Sequence, residues 1–336
     1  MSRYVTAAYV FDRGNMSLRD EDAQHIDQLN YSFALVRDGS VSGDHWSSIE
    51  AYRAYIARHP HILPVVSIGG WAAGGFSEAA ATEEGRARFA DTAVALMQRY
   101  GFLGVDIDWE YPCSDEAGIA ASPEDRHNFT LLLQALRQRL DALTKADGKK
   151  RLLAAAVGAA PELVHNIECE AVGQLIDQLN LMTYDIQTRY VMSHATALYT
   201  ADPRYPKCAD TAVRVYSEAG VPKEKMMVGC ACYARLFEAK EGTPKPFGEA
   251  ATAGFDTKPY RELVSESGWT HGFDEAAGAA YAVRENWFAS YDSVRSVSGK
   301  GAYVKERGLQ GLMYWEYGSD LEGQIIGAMH KSLEEC

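Results

Sequence analysis

No run in the sequence approaches the roughly 18 apolar residues that a membrane-spanning helix requires, so no membrane partner is expected. Cysteine is sparse, six in 336 residues, and Cys113, Cys169, Cys208, Cys230, Cys232 and Cys336 form no CxxC pair of the kind that binds zinc or cycles redox state. Cys230 and Cys232 would point the same way from one strand, and all six are expected to be reduced thiols. Proline is scarce, 11 against 29 glycines, and no internal repeat or low-complexity tract is present, which excludes disordered and fibrous proteins. Positive charge is the minority sign: 33 Lys+Arg against 46 Asp+Glu leave a net charge of -13. A phosphate backbone or an anionic membrane surface would be repelled; the expected partner is neutral or cationic, and not a nucleic acid. The opening MSRYVTAAYVFD has no basic n-region, apolar h-region or small-residue cleavage site. The chain as written is therefore expected to be cytoplasmic, although a secreted protein already trimmed of its leader would begin in the same way.

What is present suffices for a large core, since 47% of the residues are hydrophobic and 11% aromatic. Short apolar or alternating runs bounded by turn residues recur at Tyr4–Phe11, Leu29–Val36, Ile62–Ile68, Gly104–Glu110, Leu152–Val157, Leu179–Tyr184, Met226–Tyr233 and Leu309–Tyr314. Between most of them lie amphipathic helical patterns, clearest over Glu83–Tyr100 and Pro123–Leu143. Ser122 supplies the second with a cap, Pro123 with a first turn and Glu124-Asp125 with acids where the helix dipole favours them. Eightfold strand-helix alternation predicts an α/β fold, a closed (β/α)8 TIM barrel. Residues 236–290 break the rhythm: they are Gly- and Ala-rich but carry Phe247, Phe255, Tyr260, Trp269, Phe273, Tyr281 and Trp287, too many aromatics for a linker. They are expected to form a small α+β insertion on the C-terminal rim, with 1–235 and 291–336 building the barrel.

The most informative segment is Gly101-Phe-Leu-Gly-Val-Asp-Ile-Asp-Trp-Glu-Tyr-Pro112. Strand side chains alternate, so Asp106, Asp108 and Glu110 share one face at roughly 7 Å spacing, with Val105, Ile107 and Trp109 on the other. The apolar face must meet the helix layer, which sends three acids up the barrel interior, Glu110 nearest the mouth where barrel enzymes keep their active sites. Crowding acids on a buried face leads to shared protons and at least one raised pKa, which is what a general acid needs at neutral pH. A solvated acidic strand at a sheet edge and a magnesium site stay open as rivals, the second needing ligands from neighbouring strands.

The DIDWEYP segment resembles the signature of family 18 glycoside hydrolases, the chitinase family. The resemblance extends over nearly the whole chain through Tyr31-Ser-Phe-Ala34, Ser67-Ile-Gly-Gly-Trp71, Met182-Thr-Tyr-Asp185, Tyr233-Ala-Arg235, Tyr291-Asp-Ser-Val-Arg-Ser296 and Gly311-Leu-Met-Tyr-Trp-Glu316. It implies a retaining hydrolase of β-1,4-N-acetylglucosamine linkages in which the sugar's own acetamido oxygen attacks the anomeric carbon, with no metal and no cofactor. By the resemblance Glu110 protonates the leaving oxygen and later activates water, and Asp108 orients the acetamido N–H. Asp106 shares a proton with Asp108, and Tyr184 donates to the acetamido carbonyl. Trp315 is implied as the floor of the sugar pocket, with Tyr9, Phe33, Trp71 and Met182 lining it. Asp185, Tyr233 and Arg235 would hydrogen-bond sugar hydroxyls or brace the carboxylates. The implied partner is an N-acetylglucosamine-containing oligo- or polysaccharide, and the protein is expected to be a monomer.

Three departures bear on that expectation. Leu103 stands where the family usually has an acid, which is expected to weaken the outermost proton-storage step and to lower the rate or move the pH optimum. Ile186-Gln-Thr-Arg189 lacks the Gly-Trp pair common in chitinases, so the leaving-group subsites are expected to differ. The insertion is short, which implies a shallow groove suited to soluble oligosaccharides. An endo-β-N-acetylglucosaminidase acting on N-glycans or peptidoglycan and a chitinase-like lectin remain as alternatives.

Overall fold

Eight buried segments pair side by side into a closed parallel cylinder in the computed structural model, which describes residues 4–334 apart from 188–189, 201, 204–205, 241–246, 253 and 321. The strands are β1 (Val5–Phe11), β2 (Gln28–Arg37), a short β3 (Ser40–Ser42) folded back on β2, β4 (Leu63–Gly69), β5 (Gly104–Asp108), β6 (Leu152–Gly158), β7 (Gln178–Met182) and β8 (Met226–Ala231). Strands β9 (Tyr233–Glu238), β10 (Asp256–Pro259), β11 (Thr270–Asp274), β12 (Ala279–Arg284) and β13 (Trp287–Tyr291) form a second sheet, and β14 (Gly311–Trp315) completes the first. Barrel order is β1-β14-β8-β7-β6-β5-β4-β2, closed by β1 pairing with β2 from Ala7↔Gln28 to Phe11↔Ser32. Each barrel strand starts and ends within two residues of its sequence expectation, because two-sided burial writes near-continuous apolar runs into parallel strands.

The helix Glu83–Tyr100 begins where the Thr82 hydroxyl accepts the Gly85 N–H and ends at Gly101, whose φ of 81° reverses the chain. The next helix spans Asp125–Asp147, two residues later than the Pro123 start expected. Ser122 does not cap it; its hydroxyl accepts the Glu124 N–H at 3.3 Å while its own N–H donates to Asp125. Val105, Ile107 and Trp109 pack in the outer core between strands and helices, with Trp109 stacked on Phe76 at 5.3 Å. Among the described residues no helix is long and apolar enough to cross a membrane. Cys113, Cys169, Cys208, Cys230 and Cys232 are free thiols; Cys336 lies outside the described residues.

The second sheet runs β10-β9-β13-β12-β11, all antiparallel, with the helix Tyr260–Ser265 between β10 and β11. It opens at Tyr233, three residues ahead of the expected start of the insertion, because β8 stops at Ala231 and the chain turns out of the barrel at Cys232. Its aromatics fill a small core of their own: Phe237 and Phe288 with Met192, flanked by Phe247, Phe255 and Tyr281. Side-chain amides occupy the barrel interior toward the N-terminal ends of β2 and β7, where Gln28 donates to Asn30 at 2.9 Å and Gln178 to Asn180 at 2.8 Å, all four buried.

Candidate active site

The site is built upward from Asp106, which is fully buried on β5. Its carboxylate accepts the Tyr9 hydroxyl at 2.9 Å, the Ser67 hydroxyl at 2.7 Å and the Asn180 amide at 3.2 Å, and Asn180 also donates to Tyr9 at 2.8 Å. Burial raises the pKa of Asp106, and the three donors oppose that rise. Asp108, one pleat higher, has no such support: Oδ1 is buried without a hydrogen-bond partner. Burial first, then the charges of Glu110 and Asp106, push its pKa well above the carboxylate range. No hydrogen bond joins Asp106 and Asp108 among the described contacts, so the two interact through charge, and Asp108, without donors, holds a proton more readily than Asp106.

Glu110 lies beyond the end of β5 rather than on it, in the segment that carries the cis Glu110–Tyr111 peptide. Burial lifts its pKa to about 7, the Tyr111 hydroxyl pulls it back and the Asp185 charge adds to the rise. Gly69 and Gly70 make room for this segment. A Cβ on Gly69 would stand 2.0 Å from the Asp108 carbonyl oxygen, and the Gly70 N–H donates to that same oxygen at 2.9 Å. Only glycine suits Gly69 on conformational grounds as well, since its φ is 119°.

The Trp315 ring stacks on Phe33 at 5.3 Å and meets Tyr9 edge-on at 6.0 Å. Met182, Tyr9, Met227 and Met313 form an interior apolar cluster against which Tyr111, Tyr184 and Trp315 pack. Among the described residues the Tyr184 hydroxyl has one hydrogen-bond partner, the Met313 thioether at 3.9 Å, a weak acceptor that an acetamido oxygen can replace. Asp185, Tyr233 and Arg235 meet one another: Asp185 accepts the Tyr233 hydroxyl at 2.9 Å and a two-pronged Arg235 guanidinium at 2.5 and 2.6 Å. Trp71 lies farther out than the other rings. It is 58% exposed and its ring contact is Tyr111 at 6.4 Å, so it stands on the rim, not among the rings around Trp315.

Leu103 lies away from the carboxylates. It precedes β5, its N–H donates to Pro64 and its carbonyl accepts from Leu152, at the end of the barrel opposite the site. It has the parity of Val105 and Ile107, so an acid lost there leaves the row of Asp106, Asp108 and Glu110 intact. Gln187 is described, whereas Thr188 and Arg189 of the expected subsite change lie outside the described residues. Sequence reading missed Asn180 as a donor to Asp106 and assigned no polar contact to Ser67. The signal for the first was Gln178-Leu179-Asn180, two amides in register on the inner face of a buried strand. It also missed Phe11, 36% exposed and edge-on to Trp315 at 5.9 Å.

Comparison with known proteins places these observations in a family. Residues 3–320 match the model for glycosyl hydrolases family 18. The chain is 31% identical to endochitinase 1 of Metarhizium robertsii across 98% of its own length and 85% of that protein's. It is also 31% identical to chitinase A1 of Niallia circulans, covering 84% of this chain but only 44% of that longer one. Among solved structures, a family 18 N-acetylglucosaminidase from Paenibacillus barengoltzii superposes with a TM-score of 0.94 at 36% identity, covering 98% of this chain and 99% of that one.

Proposed function

The chain belongs to family 18 of the glycosyl hydrolases, and from that premise we propose that it hydrolyses β-1,4-N-acetylglucosamine linkages in chitin or chitooligosaccharides with retention at the anomeric carbon. The observation that carries this reading is the pairing of Glu110, an acid with a pKa of about 7 at the barrel mouth, with Asp108, whose Oδ1 is buried and unpartnered one pleat below. Glu110 is protonated over part of the neutral range and gives its proton to the leaving oxygen. The acetamido oxygen of the sugar attacks the anomeric carbon, so no protein nucleophile is needed. Asp108, passing its shared proton to Asp106, receives the acetamido N–H as a carboxylate and stabilises the positive charge that develops, and Tyr184 donates to the acetamido carbonyl, which holds the oxygen in its attacking position. Glu110, now ionised, draws a proton from the water that opens the intermediate.

The flat faces around Trp315 suit a pyranose ring bearing an acetamido methyl. A second reading, release of single N-acetylglucosamine units, is favoured by the likeness in both length and shape to the Paenibacillus barengoltzii N-acetylglucosaminidase. Incubating chitotetraose and chitohexaose with the wild type and with Glu110→Gln, with and without EDTA, tests both. Cleavage by the wild type alone, unaffected by EDTA, is the expected result, and the earliest products separate internal cleavage from monomer release. Turnover retained by Glu110→Gln would overturn the assignment of the acid.

A further inference from the structure

Directly behind Tyr184, in the wall between the barrel and the helix Val294–Arg307, lies an ion pair with no solvent exposure at either partner. Lys300 Nζ donates to Asp292 at 2.7 Å, to the Thr196 hydroxyl at 2.6 Å and to the Gly229 carbonyl at 3.0 Å. Asp292 also accepts the Ala231 N–H at 2.9 Å and the Ser296 hydroxyl at 2.8 Å, so the pair is satisfied on every side. Stability alone is a weak reason for such a pair, because two buried charges lose their hydration and well-packed apolar groups often do as well. Its contacts suggest a different reason. Both of its uncharged partners touch one residue, Thr183: the Thr196 hydroxyl divides its proton between Asp292 at 2.7 Å and the Thr183 carbonyl at 3.1 Å, and the Thr183 hydroxyl donates to the Gly229 carbonyl at 2.7 Å.

Thr183 is the residue before Tyr184, in a segment where β7 has ended and no strand ladder holds the backbone. Gly229 presses on the same place, since a Cβ there would stand 2.9 Å from both the Thr183 nitrogen and the Tyr184 ring. We propose that the Lys300–Asp292 pair is a positioning device for catalysis, fixing through Thr196 and Gly229 the peptide that aims the Tyr184 hydroxyl at the acetamido group. Asp292 directly follows β13, so the same pair registers the chain returning from the second sheet against the active-site segment. The proposal rests on the reading of Tyr184 given above. Misplacing a positioning group by about 1 Å costs roughly a hundredfold in rate, and the loss falls on kcat because the hydroxyl matters most as the acetamido oxygen attacks.

The test is a set of full-length variants assayed on chitotetraose. Thr196→Val keeps both charges but removes the hydroxyl that joins them to the Thr183 carbonyl, together with its bonds to Asp292 and Lys300, and Asp292→Asn with Lys300→Met replaces the pair by neutral groups of similar size. Each is expected to lower kcat by roughly ten- to a hundredfold, with KM changed less than about threefold. In a Tyr184→Phe background the same changes are expected to cost less than about twofold further, because the hydroxyl they position is gone. Equal losses in both backgrounds, or full kcat in folded Thr196→Val, would overturn the proposal, and if the double variant fails to fold Thr196→Val alone decides it. Undiminished kcat in Tyr184→Phe itself would overturn it through its premise, a failure told apart because it is read with the pair untouched.

Discussion

Asp106 and Asp108 stand two residues apart on one strand, yet Asp106 receives three hydrogen bonds from Tyr9, Ser67 and Asn180 while Asp108 Oδ1 receives none. Donors favour the ionised form and unrelieved burial favours the neutral one. The donors around Asp106 thus bias a shared proton toward Asp108, the carboxyl one pleat higher.

Removing one of those donors shifts that balance. Tyr9→Phe is expected to raise the proton affinity of Asp106, to move the acidic limb of kcat/KM to higher pH and to lower kcat by roughly tenfold. A pH–rate profile from pH 3 to 9 checks it, and an unmoved acidic limb would count against the assignment.

The alkaline limb belongs to Glu110. Because the acid must be protonated, kcat/KM is expected to fall as pH rises through about 7. Glu110→Gln should lower kcat by roughly 10²–10⁴ while oligosaccharide binding survives, as read by calorimetry. Stability carries the same signature: folding raises this pKa from an ordinary 4.5 to about 7, so the native state holds a proton that the unfolded chain releases. Stability therefore falls as pH rises across that window, and Glu110→Gln removes this contribution to the slope.

Asp185 sends its charge toward Glu110 and adds to a rise caused mainly by burial. Asp185→Asn should lower the Glu110 pKa and shift the alkaline limb to lower pH. Asparagine tolerates the Asp185 φ of 57°, so the backbone is kept. An alkaline limb that stays in place would show that Arg235, held at 2.5 Å, already neutralises Asp185.

Gly69→Ala places a methyl group 2.0 Å from the Asp108 carbonyl oxygen at a φ of 119°. The expected cost is about 2–4 kcal/mol of stability in urea unfolding, together with loss of turnover as Asp108 is displaced. Gly101→Ala has the same sign of φ but nothing within 4 Å, so it serves as the control for backbone strain alone.

The barrel was legible because burial on both faces of a parallel strand leaves apolar runs that end sharply, and the carboxylate row because alternation admits one placement for Asp106 and Asp108. Boundaries blurred where the pattern continues past the hydrogen bonding. The spacing carried the predicted strand on to Glu110, whereas pairing stops at Asp108, and the Tyr233 ring that read as the end of one strand opens the other sheet. Parity also decides Leu103, which sits with the outward residues and not with the acids. Trp71 could not be placed from sequence because exposure of a ring at a strand end depends on the loop that carries it. Lys300 was invisible for a related reason: a lysine on an amphipathic helix reads as surface, and only the return of Asp292 from the second sheet buries it.

The amides below Asp106 have one more effect. Gln28, Asn30, Gln178 and Asn180 are buried and cannot ionise, so beneath Asp106 they offer a travelling proton no carboxylate or imidazole on which to rest. These four side chains therefore carry no acid–base relay downward from Asp106, and in the proposed cycle the proton given to the departing sugar is returned to Glu110 by the water molecule that opens the intermediate.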